Sequence, residues 1–344
     1  MTIVTIGLDL AKTVFQVHCV DENGRAVVRR QVRRADVATF FGNLPRCLVG
    51  MEACGSAHHW ARLISALGHD VRLIAPTRVK PYIQRGKKND ANDAAAIAEA
   101  VTRPHMVFVP VKTEAQQGVL MLHRSRDLLV RQRTMLINAL RAHLAEFGIV
   151  AAKGRGKVKN LIAGLDDAEI PALARTALGQ IAELIDGCDQ HIETLEKQIV
   201  AWHKGNEASC NLATIPGIGP ITASALAASV PDPSAFDSGR KLAAWLGLVP
   251  RQNSTGGKAR LGSITKAGDS YIRRLLVIGA TSVIRYARAK APGEAEWLKN
   301  LLERKSPRLA SVALANKMAR IAWSVLTRGE VYTKNYRSPV LVAA

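Results

Sequence analysis

Residues 3–9 read IVTIGLD, residues 14–20 read VFQVHCV and residues 26–32 read AVVRRQV. β-branched residues are frequent in each run, and short turn sequences separate the runs, of which Asp21-Glu22-Asn23-Gly24 is the clearest. This pattern predicts three short β-strands in meander order.

The segment after these strands alternates between strand and helix patterns. Residues 47–52 (CLVGME) predict a buried strand, residues from about Ser56 to Leu67 a helix, and residues 70–75 (DVRLIA) a further strand. A strand, a helix and a strand with short connections imply a parallel pair, and therefore an α/β domain. From Asn89 the sequence DANDAAAIAEAV is rich in alanine and has acids in its first turn, which predicts a helix.

The chain after Pro110 is predicted to form long helices. Apolar residues recur there at intervals of three and four, which predicts a heptad seam formed by Leu178, Ile181, Ile185, Cys188, Ile192, Leu195, Ile199 and Trp202. A partner helix must cover this seam. Either the preceding helix, roughly 114–147, or the same helix of a second subunit satisfies the pattern.

These patterns divide the chain into three predicted domains. Residues 1–110 form the α/β domain, and residues 111–206 form central coiled-coil helices. Residues 207–344 form a mainly helical domain with one glycine-rich loop between Pro250 and Gly268.

The charge of the chain restricts its partners. Forty-eight Lys and Arg residues against 28 Asp and Glu residues give a formal net charge of +20, and a polyanion is the simplest partner for that excess. This argument holds for structural RNA as well as for DNA. The uncharged stretch 208–231 is broken by glycines and prolines, and Asp9 and Lys12 interrupt the first apolar run. Neither a membrane span nor a signal peptide is therefore expected.

The five cysteines are widely spaced and form no C-x-x-C pair. This argues against a disulfide framework and against a zinc site, and it favours a reducing cytosol.

Four acids of the first domain follow predicted strands or begin a predicted helix. Asp9 ends the first strand, Glu52 ends the strand at 47–52, and Asp90 and Asp93 lie on one face of the first helical turn. Acids gathered at one edge of a sheet repel one another unless divalent cations neutralise them, and oxygen ligands suit Mg²⁺ or Mn²⁺. Two such ions about 4 Å apart serve phosphodiester chemistry.

Each acid alone has an ordinary explanation as a turn residue, a helix cap or a partner of the helix dipole. The order strand Asp, strand Glu and helix Asp-x-x-Asp is nevertheless the layout of ribonuclease H-like nucleases, which include Holliday-junction resolvases. Arg85, Lys87 and Lys88 add positive charge beside the acids, where a DNA phosphate must lie. Together these features favour a metal site.

Residues 245–268 read WLGLVPRQNSTGGKARLGSITKAG. The hydroxyl groups of Ser254 and Thr255 precede two glycines within a basic surround formed by Arg251, Lys258, Arg260 and Lys266. Glycines allow close approach and cations hold a phosphate, so this loop suits a serine nucleophile that attacks a phosphodiester. The same composition is common in ordinary turns.

Residues 215–220 read IPGIGP and precede an alanine-rich helix, which is the composition of a helix-hairpin-helix turn. Backbone N–H groups around Gly217 and Gly219 and at the helix start can bind DNA phosphates without reading sequence. A packing turn with no DNA contact is the alternative.

Six motifs together closely resemble the insertion-sequence 110 and 1111 transposases. They are GLDLAK (7–12), MEACG (51–55), KKNDANDAAAIAEA (87–100), IPGIGPITA (215–223), LGLVPRQNSTGGKARLGSITKAGD (246–269) and YIRRLLVIGA (271–280). The resemblance covers nearly the whole chain and keeps the order of the family.

The resemblance implies a ribonuclease H-like (RuvC-like) domain whose Asp-Glu-Asp-Asp set falls on Asp9, Glu52, Asp90 and Asp93. It also implies an oligomerising coiled coil, and a C-terminal transposase domain whose nucleophilic serine falls on Ser254. In such recombinases a noncoding bridge RNA pairs with donor and target DNA. The serine forms a 5′-phosphoserine link, and the acids of a partner subunit complete a composite site with Mg²⁺.

We therefore expect a bacterial, cytoplasmic, nucleoid-associated recombinase that works as a dimer or tetramer with DNA and a guide RNA, and with no membrane. Two alternatives remain at this point. A metal-dependent junction nuclease forms no covalent intermediate, and a non-catalytic nucleic-acid-binding protein needs none of the four acids.

Overall fold

The computed structural model describes residues 2–83, 89–152, 154–165, 168–255, 258, 260–289 and 296–333. The chain forms two compact units. Unit 1 comprises Met1–Gln116 and Val230–Ala235, and unit 2 comprises Gln117–Ser229 and Phe236–Ala344. The three-domain division at residues 110 and 206 stays a prediction.

Unit 1 is built on a six-stranded mixed sheet in the order β3-β2-β1-β4-β5-β6. The strands are β1 (Thr5–Asp9), β2 (Val14–Val20), β3 (Ala26–Arg33), β4 (Leu48–Glu52), β5 (Asp70–Ile74) and β6 (Phe108–Val109). The first three pair antiparallel, and β4 is parallel to both β1 and β5. The predicted meander and the predicted parallel pair are confirmed.

Helices cover both faces of this sheet, namely α1 (Val37–Gly42), α2 (Ala57–Ala66), α3 (Pro76–Val79) and α4 (Asp90–Val101). One face forms an apolar core with α1 and α2, in which Phe15 meets Trp60 edge to face at 5.0 Å. On the other face α4 packs against the strands at Gly7 and Gly50. A Cβ atom on Gly7 would overlap the Ala94 carbonyl oxygen, so glycine is required for this close approach.

Unit 2 is mainly helical. Its helices are α5 (Glu114–Ala145, which begins in unit 1), α6 (Arg155–Ala163), α7 (Ala172–Lys204), α8 (Glu207–Ala213), α9 (Pro220–Ser229), α10 (Gly239–Trp245), α11 (Ser270–Ala289), α12 (Glu296–Arg304) and α13 (Pro307–Arg328). None of the helices in the described residues is long and apolar enough to cross a membrane.

The glycine-rich segment after Pro250 is not wholly a loop. It contains a hairpin of β7 (Pro250–Gln252) and β8 (Leu261–Ile264). The sequence gives little sign of these strands, because most of their side chains are exposed and no alternation of apolar and polar residues is required.

The heptad seam of α7 is covered by α5 of the same chain. Leu140 and Leu144 of α5 lie in one apolar cluster with Leu178 and Ile185 of α7. Two ion pairs flank the seam, Arg126–Glu196 at 2.6 Å and Arg133–Asp189 at 2.5 Å. Of the two partners that the sequence allows, the structure thus shows the preceding helix of the same chain.

A chain of buried polar groups joins α5, α9 and α11. His123 is 1% exposed, and its Nδ1 and Nε2 atoms lie 3.0 Å from the Tyr271 hydroxyl and 3.1 Å from Ser224 Oγ. Ser224 Oγ also donates to the Pro220 carbonyl oxygen at 2.6 Å, so Nε2 donates to Ser224 and Nδ1 accepts from Tyr271. Burial, with a smaller effect of Arg126, lowers the pKa of His123 to about 4, which keeps the ring neutral.

Candidate active site

Three of the four predicted metal ligands meet at the carboxyl end of β1. The carboxylate oxygens of Asp9, Asp90 and Asp93 all lie within 4.8 Å of one another. Asp9 ends β1, and the other two belong to the first turn of α4. The Asn89 side chain caps this helix by accepting a hydrogen bond of 2.8 Å from the Asn92 backbone N–H, which fixes where the helix begins.

Glu52 lies at the end of the neighbouring strand. Met51 pairs with Leu8 in the parallel register of β4 and β1, so Glu52 follows at the level of Asp9. It is outside the group of three whose oxygens lie within 4.8 Å, yet its charge acts on Asp9. The acid cluster, meaning Asp9, Glu52, Asp90 and Asp93, therefore has three close members and a fourth beside them.

The electrostatics of the acid cluster are unfavourable without a cation. Burial, followed by the charges of Asp93, Asp90 and Glu52, raises the pKa of Asp9 from 3.8 to about 6. Among the described side chains, Asp93 keeps one carboxylate oxygen buried with no hydrogen-bond partner. A buried carboxylate oxygen without a partner is costly, and a hard divalent ion such as Mg²⁺ or Mn²⁺ would satisfy it. The donor set therefore fits such an ion.

Ser254 lies in the connection between β7 and β8 in unit 2, just before the bridge that pairs Thr255 with Lys258, and is exposed. The Asn253 N–H donates to the Arg260 carbonyl oxygen at 2.9 Å, and the Lys258 N–H donates to the Thr255 carbonyl oxygen at 3.1 Å. Within the described part of the chain, no group forms a hydrogen bond with the Ser254 hydroxyl.

Four basic residues lie on the hairpin that carries Ser254 or just after it. Arg251, Lys258, Arg260 and Lys266 are all exposed. Lys266 has a positive φ of 56°, which is uncommon for a residue with a side chain. The structure therefore leaves the cations on this hairpin open to an anionic partner.

The base of the hairpin is fixed by residues that the sequence analysis missed. The Arg273 guanidinium donates to the carbonyl oxygens of Leu246 and Ala267, at 2.9 and 2.6 Å. The Asn316 amide donates to the Leu248 carbonyl oxygen at 3.1 Å. Arginine and asparagine on amphipathic helices give no signal of this role, because their acceptors are carbonyls of another segment.

The predicted helix-hairpin-helix turn joins α8 to α9. Gly217 has a φ of 89° and packs against α11 and α13, where a Cβ atom would lie 2.9 Å from side-chain atoms of Val283 and Met318, respectively. Gly219 is exposed at the start of α9 and has open space around it. Packing thus explains Gly217, whereas Gly219 lies where a phosphate has access to the helix start. Arg85, Lys87 and Lys88 lie outside the described residues.

An acid cluster at the edge of an α/β sheet and an exposed basic hairpin on a helical unit suit a protein that acts on nucleic acid. Comparison with known families supports this class. Residues 6–149 match the DEDD transposase domain of IS110 elements, and residues 209–293 match the family described as Transposase IS116/IS110/IS902.

Several individual relatives resemble this chain over most of their length. The chain is 49% identical to a probable family 20 transposase of Pseudomonas aeruginosa, over 96% of this chain and 99% of the relative. It is 41% identical to the transposase for insertion sequence element IS1328 of Yersinia enterocolitica, over 96% and 98%, respectively. It is also 41% identical to the transposase for IS1111A of Coxiella burnetii, over 95% and 90%. The chain belongs to the IS110 family of insertion-sequence transposases.

Proposed function

We propose that this transposase exchanges DNA strands through a phosphoserine intermediate at Ser254, with a Mg²⁺ or Mn²⁺ site at the acid cluster. The observation that carries the proposal is the convergence of Asp9, Asp90 and Asp93 oxygens within 4.8 Å, with Glu52 beside them. The negative charges of the cluster repel one another, since Asp93, Asp90 and Glu52 all raise the pKa of Asp9. We further propose that unit 1 has a ribonuclease H-like fold, which the strand order and the position of the acids support.

In the proposed reaction Ser254 Oγ attacks the phosphorus of a DNA strand. The bond from serine oxygen to phosphorus forms, and the bond from phosphorus to the 3′ oxygen breaks, which leaves a 5′-phosphoserine and a 3′-hydroxyl group. A 3′-hydroxyl of another strand then attacks the phosphoserine and restores a phosphodiester. The number of phosphodiester bonds is unchanged, so no external energy source is required.

The residues of the serine hairpin assist this chemistry through charge. Arg251, Lys258 and Arg260 flank Ser254 and would hold the phosphate and stabilise the charge that develops on its oxygens. No described residue of unit 2 forms a hydrogen bond with the Ser254 hydroxyl, and we propose that carboxylates of another subunit accept the serine proton in a composite site. A bound divalent ion would supply charge stabilisation for the leaving oxygen.

The serine step is tested by trapping protein–DNA adducts on a denaturing gel. Ser254→Ala should abolish the adduct and strand exchange while the fold and DNA binding are kept, because only one hydroxyl group is lost. Thr255→Ala is the matched control and should remain active. If Thr255→Ala is inactive and Ser254→Ala recombines, Thr255 is the nucleophile. If both recombine, the protein uses no serine intermediate.

The metal site is tested by neutral substitutions at the acid cluster. Asp9→Asn, Glu52→Gln and Asp93→Asn should each remove Mg²⁺-dependent strand cleavage, since each deletes a ligand charge. Asp36→Asn changes an exposed acid elsewhere in unit 1 and should have no effect. Activity that persists in EDTA would contradict the metal site. Cleavage that needs the acids but not Ser254 would identify a junction nuclease, and function without either would identify a binding protein.

We propose that RNA selects the DNA sites. A net charge of +20 gives strong affinity for nucleic acid that does not depend on sequence, and the sequence contains no clear recognition helix or zinc module that would read bases. Base pairing with a noncoding RNA from the element would supply this selectivity. The test is recombination of defined donor and target DNA with and without that RNA. Undiminished site choice by RNA-free protein would contradict the proposal.

We also propose that the active form is a dimer or tetramer. The α7 seam is already covered, but α5 exposes Met121, Leu128 and Met135 at intervals of seven residues, with exposed fractions of 61%, 49% and 70%. This spacing is typical of a coiled-coil contact with a second copy. Light scattering of the wild type and of a Leu128→Lys variant tests it, and a monomeric wild type would contradict it.

A further inference from the structure

The edge strand β3 carries a row of exposed polar and basic side chains, Arg29, Gln31 and Arg33, which we call the β3 strip. We propose that the β3 strip binds the backbone phosphates of the DNA strand that enters the acid cluster. This inference rests on the proposed function, because it assigns the path of the substrate strand at the same site.

The strand register places the β3 strip on the same face of the sheet as Asp9. Asp9 pairs with Gln16 of β2, and Gln16 pairs with Gln31 of β3. Residues that are directly paired project to the same face. Gln31 therefore lies two strands from Asp9, about 10 Å away, and Arg29 and Arg33 lie about 7 Å to either side of Gln31 along the strand.

Helix α4 covers only part of this face. It packs on β1, β2 and β4, where Gly7 and Gly50 allow its close approach. Arg29, Gln31 and Arg33 remain exposed. The β3 strip thus lies at the edge of the sheet, beyond the part of this face that α4 covers.

The arginines on the two faces of β3 have different surroundings. Arg30 projects to the opposite face and lies over the Phe40 ring at 5.0 Å, and Arg34, just after the strand, lies over the Trp60 ring at 5.0 Å. Arg29 and Arg33 form no ion pair with any carboxylate in the described part of the chain. Packing against aromatic rings thus explains the positions of Arg30 and Arg34, but it does not explain Arg29 and Arg33.

The positive charge of the β3 strip would offset the repulsion between the acid cluster and the phosphates of a substrate strand. Four acids repel the phosphates of a substrate strand, so cations must lie beside them for the strand to bind. Charged residues on an edge strand also prevent association between sheets. If preventing association were the only role of these arginines, removing their charges would not change DNA binding. The two roles can therefore be distinguished by experiment.

The decisive variant is Arg29→Gln/Arg33→Gln in the full chain. The probe is a fluorescein-labelled duplex of the DNA that flanks the gene, and binding is followed by anisotropy as a function of salt. Loss of two phosphate contacts should reduce the slope of log affinity against log salt by about two. Extrapolation of about −0.9 per contact from 1 M salt gives a loss of about fivefold per contact at ~0.15 M, and of about thirtyfold for both.

Two control variants make this result specific. Arg25→Gln/Arg46→Gln removes two exposed arginines from the opposite end of the sheet, before β3 and β4 begin, and should leave the slope nearly unchanged. Arg29→Lys/Arg33→Lys keeps the charges and should restore the slope. If the first control lowers the slope as much as the test variant, or if the test variant binds like the wild type, the β3 strip does not bind DNA.

A photocrosslink identifies the occupant. p-Benzoylphenylalanine at Gln31 should crosslink to the DNA probe on irradiation, and at Arg46 it should not. A crosslink only to a transcript of the flanking noncoding DNA would overturn the proposal and assign the strip to RNA. These readouts require no catalysis. The two proposals can therefore fail separately. If the serine and acid variants leave strand exchange intact while Arg29→Gln/Arg33→Gln still reduces the salt slope, the proposed mechanism is wrong but the DNA contact of the β3 strip stands.

Discussion

Replacing Asp9 by asparagine is expected to stabilise the metal-free protein at neutral pH and to abolish its stabilisation by Mg²⁺. Burial and the neighbouring acids raise the pKa of Asp9 from 3.8 to about 6. An acid whose pKa is higher in the folded state than in the unfolded state stays protonated to a higher pH when the protein is folded. The folded state then binds more protons between pH 4 and 6, so the free energy of unfolding falls as pH rises through this window.

The magnitude follows from the two pKa values. The difference between 3.8 and about 6 corresponds to about 3 kcal/mol at pH values above both. Asp9 is partly exposed, so solvent screening reduces this to about 1 to 2 kcal/mol. Asp9→Asn should therefore raise the free energy of unfolding by about 1 to 2 kcal/mol at pH 7.5 and leave it nearly unchanged near pH 4.

The assay is urea unfolding in EDTA at a series of pH values, followed by circular dichroism, and repeated with Mg²⁺. Wild-type protein should gain stability from Mg²⁺ at pH 7.5, because the ion replaces the repulsion among the acids with attraction. Asp9→Asn should lose most of that gain, whereas Asp36→Asn should behave as the wild type. The reasoning is refuted if Asp9→Asn is less stable than the wild type in EDTA at pH 7.5, or if Mg²⁺ stabilises both equally.

Three further predictions concern packing and the partner. Gly7→Ala should destabilise the protein by about 1 to 3 kcal/mol and weaken Mg²⁺ binding, because the added methyl group displaces α4 at the Ala94 carbonyl. Thermal melting would measure the loss of stability, and calorimetric titration would measure Mg²⁺ binding. His123→Phe should cost about 1 to 3 kcal/mol, because it removes the buried hydrogen bonds of His123 to Tyr271 and Ser224, and Tyr271→Phe should cost less, both measured by urea unfolding. Protein purified from the host should carry RNA from the DNA beside the gene, which sequencing of nuclease-protected fragments would detect, and random cellular RNA would contradict this.

Much of unit 1 was predictable from local patterns. β-branched runs and turn residues mark β1, β2 and β3 within one or two residues, because β-branched side chains favour extended backbone and turn residues end it. The four acids were also singled out from the sequence, since strand ends and a helix start can converge at one edge of an α/β sheet. The heptad seam of α7 was likewise visible, but the helix that covers it was not.

Only the tertiary structure decided which groups meet. That α5 of the same chain covers the α7 seam depends on how the chain folds back, and heptad spacing is the same for both possible partners. The closeness of Asp9, Asp90 and Asp93 depends on α4 resting on Gly7, a contact between segments far apart in sequence. Likewise, Arg29 and Arg33 differ from Arg30 and Arg34 only through the pairing of β3 with β2, which determines the face of each side chain. A sequence specifies periods and local preferences, whereas distances between segments arise from packing.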